Sequence, residues 1–280
     1  MTSLWHYAFV QQAVLAGVIT AILAGCVGLI VTARNMSFAV HGMAEVGFTG
    51  ATGAVAIGLP PAVGLLAATF AAALAIGGLG VRLRERDVAI GSVLAFGLGL
   101  GILFLTLSPR YATEAYSILF GSILAVSRQD VIRSAVTGVV ALLALAAIYR
   151  PLRFASVDPD VAEARGVPIK LLSAVFLLIL ALAVTEAVQV VGVLLVLTLL
   201  IVPAGAAQRL TAHPGRALAY SVLIALASTL GGLVCAIYTS WPVSFFVSGF
   251  SFAAYLLARL CGPALMRGSA PSGTNSQTAL

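Results

Sequence analysis

Charge is what this chain has least of. Only 9% of its 280 residues are Asp, Glu, Lys or Arg, where soluble domains carry about 25%. Hydrophobic residues make up 61% and mean hydropathy is +1.12, which excludes a water-soluble domain and implies a polytopic membrane protein. Lysine is missing except at Lys170, and no GxxxxGK[ST] segment occurs, so ATP is not bound here through a phosphate loop. HExxH and GxSxG are absent as well, which removes the common metalloprotease and serine-hydrolase signatures. No catalytic residue is assigned and no permanently bound cofactor is expected. Cys26, Cys235 and Cys261 are odd in number, far apart and set in apolar runs. They read as small core residues, without a disulfide framework or a CxxC site.

What the chain has is a series of long apolar runs, and the fold class that follows is all-α, a polytopic transmembrane helical bundle of about eight or nine spans. Spans are expected over 13–32, 38–59, 62–80, 88–107, 131–149, 171–185, 188–208, 217–238 and 244–260. The proline pair Pro60-Pro61 turns the second into the third. Residues 81–87, VRLRERD, read as a charged loop, and 150–170 as the longest polar connection. The stretch 118–126 is too short to cross and is expected to be interfacial or re-entrant. Residues 1–267 form one transmembrane domain, and the Gly/Ser/Thr-rich stretch 268–280 reads as a disordered tail. No cleavable leader is expected, because the first residues lack a basic segment.

The net charge of +6 is a topology signal and not a nucleic-acid footprint. If 33–37, 81–87, 150–170, 209–216 and the C-terminus face the cytoplasm, they collect twelve of the fifteen basic residues. Arg110, Arg128 and Arg133 are the exceptions. The opposite turns, at Pro60-Pro61, Glu186 and Trp241-Pro242, carry no Lys or Arg. The N-terminus is therefore placed outside and the C-terminus inside. Trp5 and Tyr7 suit the interface, Arg82, Arg84 and Arg86 the inner headgroups, and His6 and His213 read as solvated.

Two polar features interrupt the apolar pattern. His41 and Glu45 stand four apart in SFAVHGMAEVGFTG, so a helix sets them on one face, a turn apart. An imidazole nitrogen and a carboxylate oxygen can serve a divalent metal or a proton; the same pair can also be satisfied by ordinary interhelical hydrogen bonds. The second feature is SVDPDVAEARGVP at 156–168. Asp158 is placed as an N-cap, Pro159 at the first helical position, and Gly166 and Pro168 as the stop. That predicts a short helix, either a docking element or a solvated turn. Glu186 is the other acid of the membrane region, set at the outer end of the sixth span. It can attract cations at an entrance or lie at the water interface.

Five short blocks then occur in one order: Ser37–Glu45, Asp87–Gly91, Leu119–Leu124, Asp158–Gly166, and Val191–Val196 running on to Pro203-Ala204. Together they resemble the permease subunit of the zinc/manganese/iron (ABC-3) family of metal ABC transporters, over roughly Val10–Leu265. The resemblance implies a homodimer of helical bundles in the bacterial inner membrane. It implies two cytoplasmic ATPase subunits and an extracytoplasmic metal-binding protein as partners, with no nucleic acid involved. It also implies that Asp158, Pro159, Asp160, Ala162, Glu163 and Gly166 form the helix that couples to the ATPase. The family pattern carries Asp and His four apart in the second span; here the matching pair is His41 and Glu45, with order and acid changed. The transported ion would be Zn²⁺ or Mn²⁺, with zinc favoured for the imidazole. Two ligands do not close a tetrahedral site, so a weak transit site is expected. The competing expectation is a proton-coupled secondary transporter using Glu45 and Glu186, which should show inverted repeats. No convincing repeat is present.

Overall fold

The structure, a computed structural model, describes residues 7–79, 83–107, 118–121, 123–239 and 241–268. Ten α-helices follow one another there: α1 Ala8–Ala33, α2 Ser37–Ala56, α3 Pro61–Leu79, α4 Leu83–Thr106, α5 Arg128–Val157, α6 Pro159–Ala164, α7 Ile169–Val191, α8 Val196–Leu210, α9 Pro214–Thr239 and α10 Val243–Gly268. Single 3₁₀ turns occupy Ile123–Ala125 and Val193–Leu195. Nine of the ten are long, and seven helical segments are long and apolar enough to cross a bilayer. The remaining two long helices are α2, which carries His41 and Glu45, and α4, whose apolar stretch is limited to Leu94–Thr106. The all-α membrane bundle expected from composition is therefore present.

α1 and α7 form the spine. In each, 67% of the most apolar stretch is buried, against 22–33% for α3, α5, α9 and α10. On one side α2 packs against α3 and α4; on the other α8, α9 and α10 pack together and against α1, while α5 lies across α1 and α7. The outward face of α5 (Ile132, Val136, Val139, Val140 and Leu143) is exposed and apolar, as lipid requires. Lipid tails are as apolar as leucine, so helices in a bilayer associate through close packing and not through hydrophobic burial. Gly50 of α2 and Gly64 of α3 show the consequence. A Cβ on either would come within 2.0–2.2 Å of the other's carbonyl oxygen.

Three turns share one backbone device. Asn35, Gly58 and Gly166 have φ of 53°, 77° and 82°, and each closes the preceding helix (α1, α2 and α6) with a paired Schellman arrangement. Met36 N donates to Val31 O at 2.9 Å, Leu59 N to Ala54 O at 2.8 Å, and Val167 N to Ala162 O at 3.0 Å. Asparagine and glycine are the residues that take this left-handed conformation readily.

The structure moves three expected boundaries. Residues 83–87 belong to the start of α4 and not to a loop. α5 continues through Pro151 to Val157, so the polar connection shortens to about ten residues; Leu152 and Ala155 are buried and tie this last stretch to the bundle. α7 does not break at Glu186 but runs to Val191, and the turn falls at Gly192, with φ of 89°. The reason is local: 186 carries neither Gly nor Pro, and its carboxylate finds a partner across the helix interface. Gly192 meets Gly121, itself at φ 78°. A Cβ on Gly192 would stand 2.4 Å from the backbone N of Gly121, and one on Gly121 would stand 2.5 Å from the Val191 carbonyl carbon. Residues 118–121 and 123–125 therefore pack at the end of α7 and do not cross the bundle; Ile118 and Ile123 are buried there. Residues 112–117, Arg82 and Arg110, Trp5, His6 and the tail from 269 lie outside the described residues.

Because both the conformation and the space at Gly192 exclude a side chain, Gly192→Ala should destabilise the purified protein by about 2 kcal/mol or more. Gly249→Ala, in open space on α10, should be neutral or stabilising by up to about 1 kcal/mol. Thermal melts in detergent compare the two.

Candidate metal pathway

The two ends of the bundle differ in chemistry. At one end, Arg34 Nη2 donates to Ser173 Oγ at 2.8 Å with its guanidinium 5.8 Å from the Phe176 ring centre, and Gln208 Nε2 donates to Thr32 Oγ1 at 2.8 Å. These contacts bring together the end of α1, the start of α7 and the end of α8. The basic segments 33–37, 150–170 and 209–216 thus meet at one end, as the positive-inside reading requires. At the other end Pro60-Pro61, Asp130, Arg133, Glu186 and Gln189 line a common cavity of about 290 Å³.

His41 and Glu45 lie in the first half of α2, counted from the basic end. At 1.5 Å per residue, Glu45 sits about 12 Å along the helix from its start. The Glu45 carboxylate is buried, 8% exposed, and His41 is half-buried with its ring 6.4 Å from that of Phe38. Among the described residues no ion pair or hydrogen bond engages either of these two side chains, so both donor sets remain open. Neither is consumed by the interhelical hydrogen bonding that was the alternative reading of the pair. No group of three His, Cys, Asp or Glu converges among the described residues.

Sequence reading missed the hydroxyls that continue this face. Thr49 and Thr52 follow Glu45 at i+4 and i+7. Thr49 Oγ1 donates to the backbone carbonyls of Glu45 and of Gly97 on α4, and Thr52 Oγ1 donates to Phe48 O at 3.1 Å. Farther along, Thr69 of α3 and Thr185 of α7 share a 2.8 Å hydrogen bond between buried hydroxyls. The signal was present in GFTGATG, where each Thr falls on the Glu45 face, but the Gly97 carbonyl that Thr49 reaches comes from α4, which no local pattern discloses.

Glu186 is buried in the wall of that outer cavity. It is 5% exposed in the interior of α7, and its carboxylate accepts a hydrogen bond from Thr137 Oγ1 of α5. By chain count it sits about 8 Å from the outer end of α7, toward the end of the bundle opposite that nearest Glu45.

The 158–166 helix forms as the sequence predicts. Asp158 caps α6, its Oδ1 accepting from Val161 N at 3.0 Å, with Pro159 in the first turn. Ala162 is fully buried against the bundle, whereas Asp160, Val161, Glu163 and Arg165 face outward, Val161 at 43% exposure. One small residue anchors the helix and a mixed charged and apolar surface is presented outward, at the basic end.

Comparison with known proteins agrees with this architecture. The sequence model of the ABC 3 transport family matches residues 6–262. The chain is 32% identical over 234 residues to the manganese transport system membrane protein MntC of Listeria monocytogenes, covering 83% of this chain and 81% of that protein. It is 30% identical over 261 residues to the manganese import system permease protein ScaB of Streptococcus parasanguinis, covering 88% and 92%. The solved structure of PsaBC from Streptococcus pneumoniae in complex with Fab superposes with a TM-score of 0.84 at 25% identity, over 94% of this chain and 95% of that one. A putative metal-chelate type ABC transporter in an inward-facing conformation shares the fold at 16% identity, with a TM-score of 0.71. Spanning segments, fold and sequence agree, and the chain belongs to the ABC 3 transport family as a multi-pass permease of the bacterial inner membrane.

Proposed function

We propose that this chain is the membrane-spanning subunit of an ATP-driven importer of a divalent metal, with Mn²⁺ as the leading substrate. The observation that carries the reading is the match over most of its length to permeases named for manganese transport. Imidazole ligation alone favoured zinc; the relatives' names weigh against that preference. An imidazole with a carboxylate is acceptable to either ion, so Zn²⁺ is the competing substrate.

In this reading His41 and Glu45 hold the ion on its way through. A two-donor site, completed by water or by a second copy of the chain, binds weakly enough for the ion to leave. Energy arrives from a cytoplasmic ATPase seated on α6, and metal from an extracytoplasmic binding protein. α5 supplies the mechanical link. Its 30 residues extend about 45 Å, of which about 30 Å separate the Thr137–Glu186 contact from α6 at the inner end. A displacement of α6 is therefore delivered to the outer cavity through one continuous helix.

Two outcomes are expected. His41→Ala or Glu45→Ala should reduce ATP-dependent Mn²⁺ uptake in liposomes by about tenfold or more, with the ATPase still co-purifying. Loss of folded protein in both variants would instead give the pair a packing role. Asp160→Ala with Glu163→Ala should weaken ATPase co-purification, by about tenfold in apparent affinity. Mn²⁺ binding by the isolated permease should stay unchanged.

A further inference from the structure

The outer cavity contains more chemistry than the transit pair accounts for. Asp130, Ser134 and Thr137 occupy positions i, i+4 and i+7 of α5 and so share one face. Glu186 and Gln189 occupy i and i+3 of α7. Asp130, Ser134, Glu186 and Gln189 line the 290 Å³ cavity, and Thr137 donates to Glu186. Five oxygen-bearing side chains therefore meet across one interface in an otherwise apolar bundle.

Two of these groups are unsatisfied in ways that ask for a ligand. Glu186 is 5% exposed, and no ion pair reaches it among the described residues. Arg133, one turn from Thr137, lines the same cavity but is 73% exposed and paired with Asp130 at 3.6 Å. A buried carboxylate held by one hydroxyl hydrogen bond is costly without a compensating cation. Ser134 is the second case. It is 6% exposed and its Oγ has no hydrogen-bond partner, although it lines the same cavity. Buried hydroxyls are normally partnered; Thr20, Thr229 and Ser251 are also buried without a partner, but of the four only Ser134 lines this cavity beside Glu186.

We propose that this cavity is an intake site for a partly hydrated divalent cation, with Glu186 as its charged ligand and Ser134 and Gln189 as neutral oxygen ligands. Asp130 stands at its mouth, shared with Arg133. The inference rests on the metal-import reading above. All donors are hard oxygens, which suits Mn²⁺, Mg²⁺ or Ca²⁺ better than a thiolate-seeking metal. At about 30 Å³ per water, the cavity has room for an ion that keeps several of its waters. An ion would meet this site at the outer end and the His41–Glu45 pair nearer the inner end, and would exchange water for protein ligands in two stages.

The test is equilibrium Mn²⁺ binding to the detergent-purified permease, followed by uptake in liposomes with its ATPase and binding protein. Glu186→Gln keeps the acceptor for Thr137 while removing the charge. Ser134→Ala removes a hydroxyl that makes no hydrogen bond, so folding should be undisturbed. Wild type should bind two Mn²⁺ per chain. Glu186→Gln should bind one, and Ser134→Ala should weaken one of the two sites several-fold. In uptake, Glu186→Gln should raise the half-saturating Mn²⁺ concentration by about tenfold with a nearly unchanged maximal rate, and Glu186→Asp should recover part of the loss. Two Mn²⁺ bound with unchanged affinity in both Glu186→Gln and Ser134→Ala would overturn the site. Failure of the import reading appears separately, as wild-type protein that accumulates no Mn²⁺ with ATP whatever its binding stoichiometry.

Discussion

A bilayer offers no water to polar groups, and this constraint governs the molecule. Every buried hydroxyl, carboxylate and backbone group must find a partner inside the bundle or be kept for a ligand. Most are partnered: Thr49 with Gly97 O, Thr69 with Thr185, Ser221 Oγ with Gly25 O at 2.8 Å. Against that background the open groups stand out. Among the described residues the His41 and Glu45 side chains make no hydrogen bond, Glu186 has one hydroxyl, and Ser134 Oγ, like the hydroxyls of Thr20, Thr229 and Ser251, has none. Polar side chains left open in lipid are costly, and in the proposed reading a transported ion offsets that cost at His41, Glu45 and Glu186.

The same constraint explains the backbone. Helices that gain nothing from hydrophobic association must touch closely, and Gly50 against Gly64 allows this. At the end of α7 the irregular backbone packs against protein. The Gly121–Gly192 contact clamps residues 118–121 and 123–125 onto the end of α7, at the outer end of the bundle. One rigid spine, α1 with α7, is thereby held between two helix groups, and α5 connects the outer cavity to the α6 surface.

Much of this was legible in the sequence, for physical reasons that differ by element. Apolar runs of bilayer length announce spans without tertiary information, and the Arg-rich segments announce their orientation. α6 was readable because an Asp cap, a Pro at the first helical position and a Gly stop are local signals. Glu186 was misread for the opposite reason. An acid in an apolar run looks like a helix end until Thr137, 49 residues earlier in the chain, supplies its hydrogen bond. The 150–170 stretch likewise read as a polar connection, whereas the burial of Leu152 and Ala155 goes with a helix that runs past Pro151 to Val157. Of the site, the His41–Glu45 spacing was visible, but the Asp130, Ser134 and Thr137 face opposite Glu186 was not, because it needs two helices brought into register.

The most direct test of the account is the energy source of metal movement. Liposomes containing the wild-type permease with its ATPase and binding protein would be given Mn²⁺ with internal or external ATP, or with a pH gradient alone. The account predicts accumulation that requires ATP on the side bearing α6 and does not respond to the gradient. Accumulation driven by the pH gradient without ATP would contradict it, and would return Glu45 and Glu186 to the role of proton carriers.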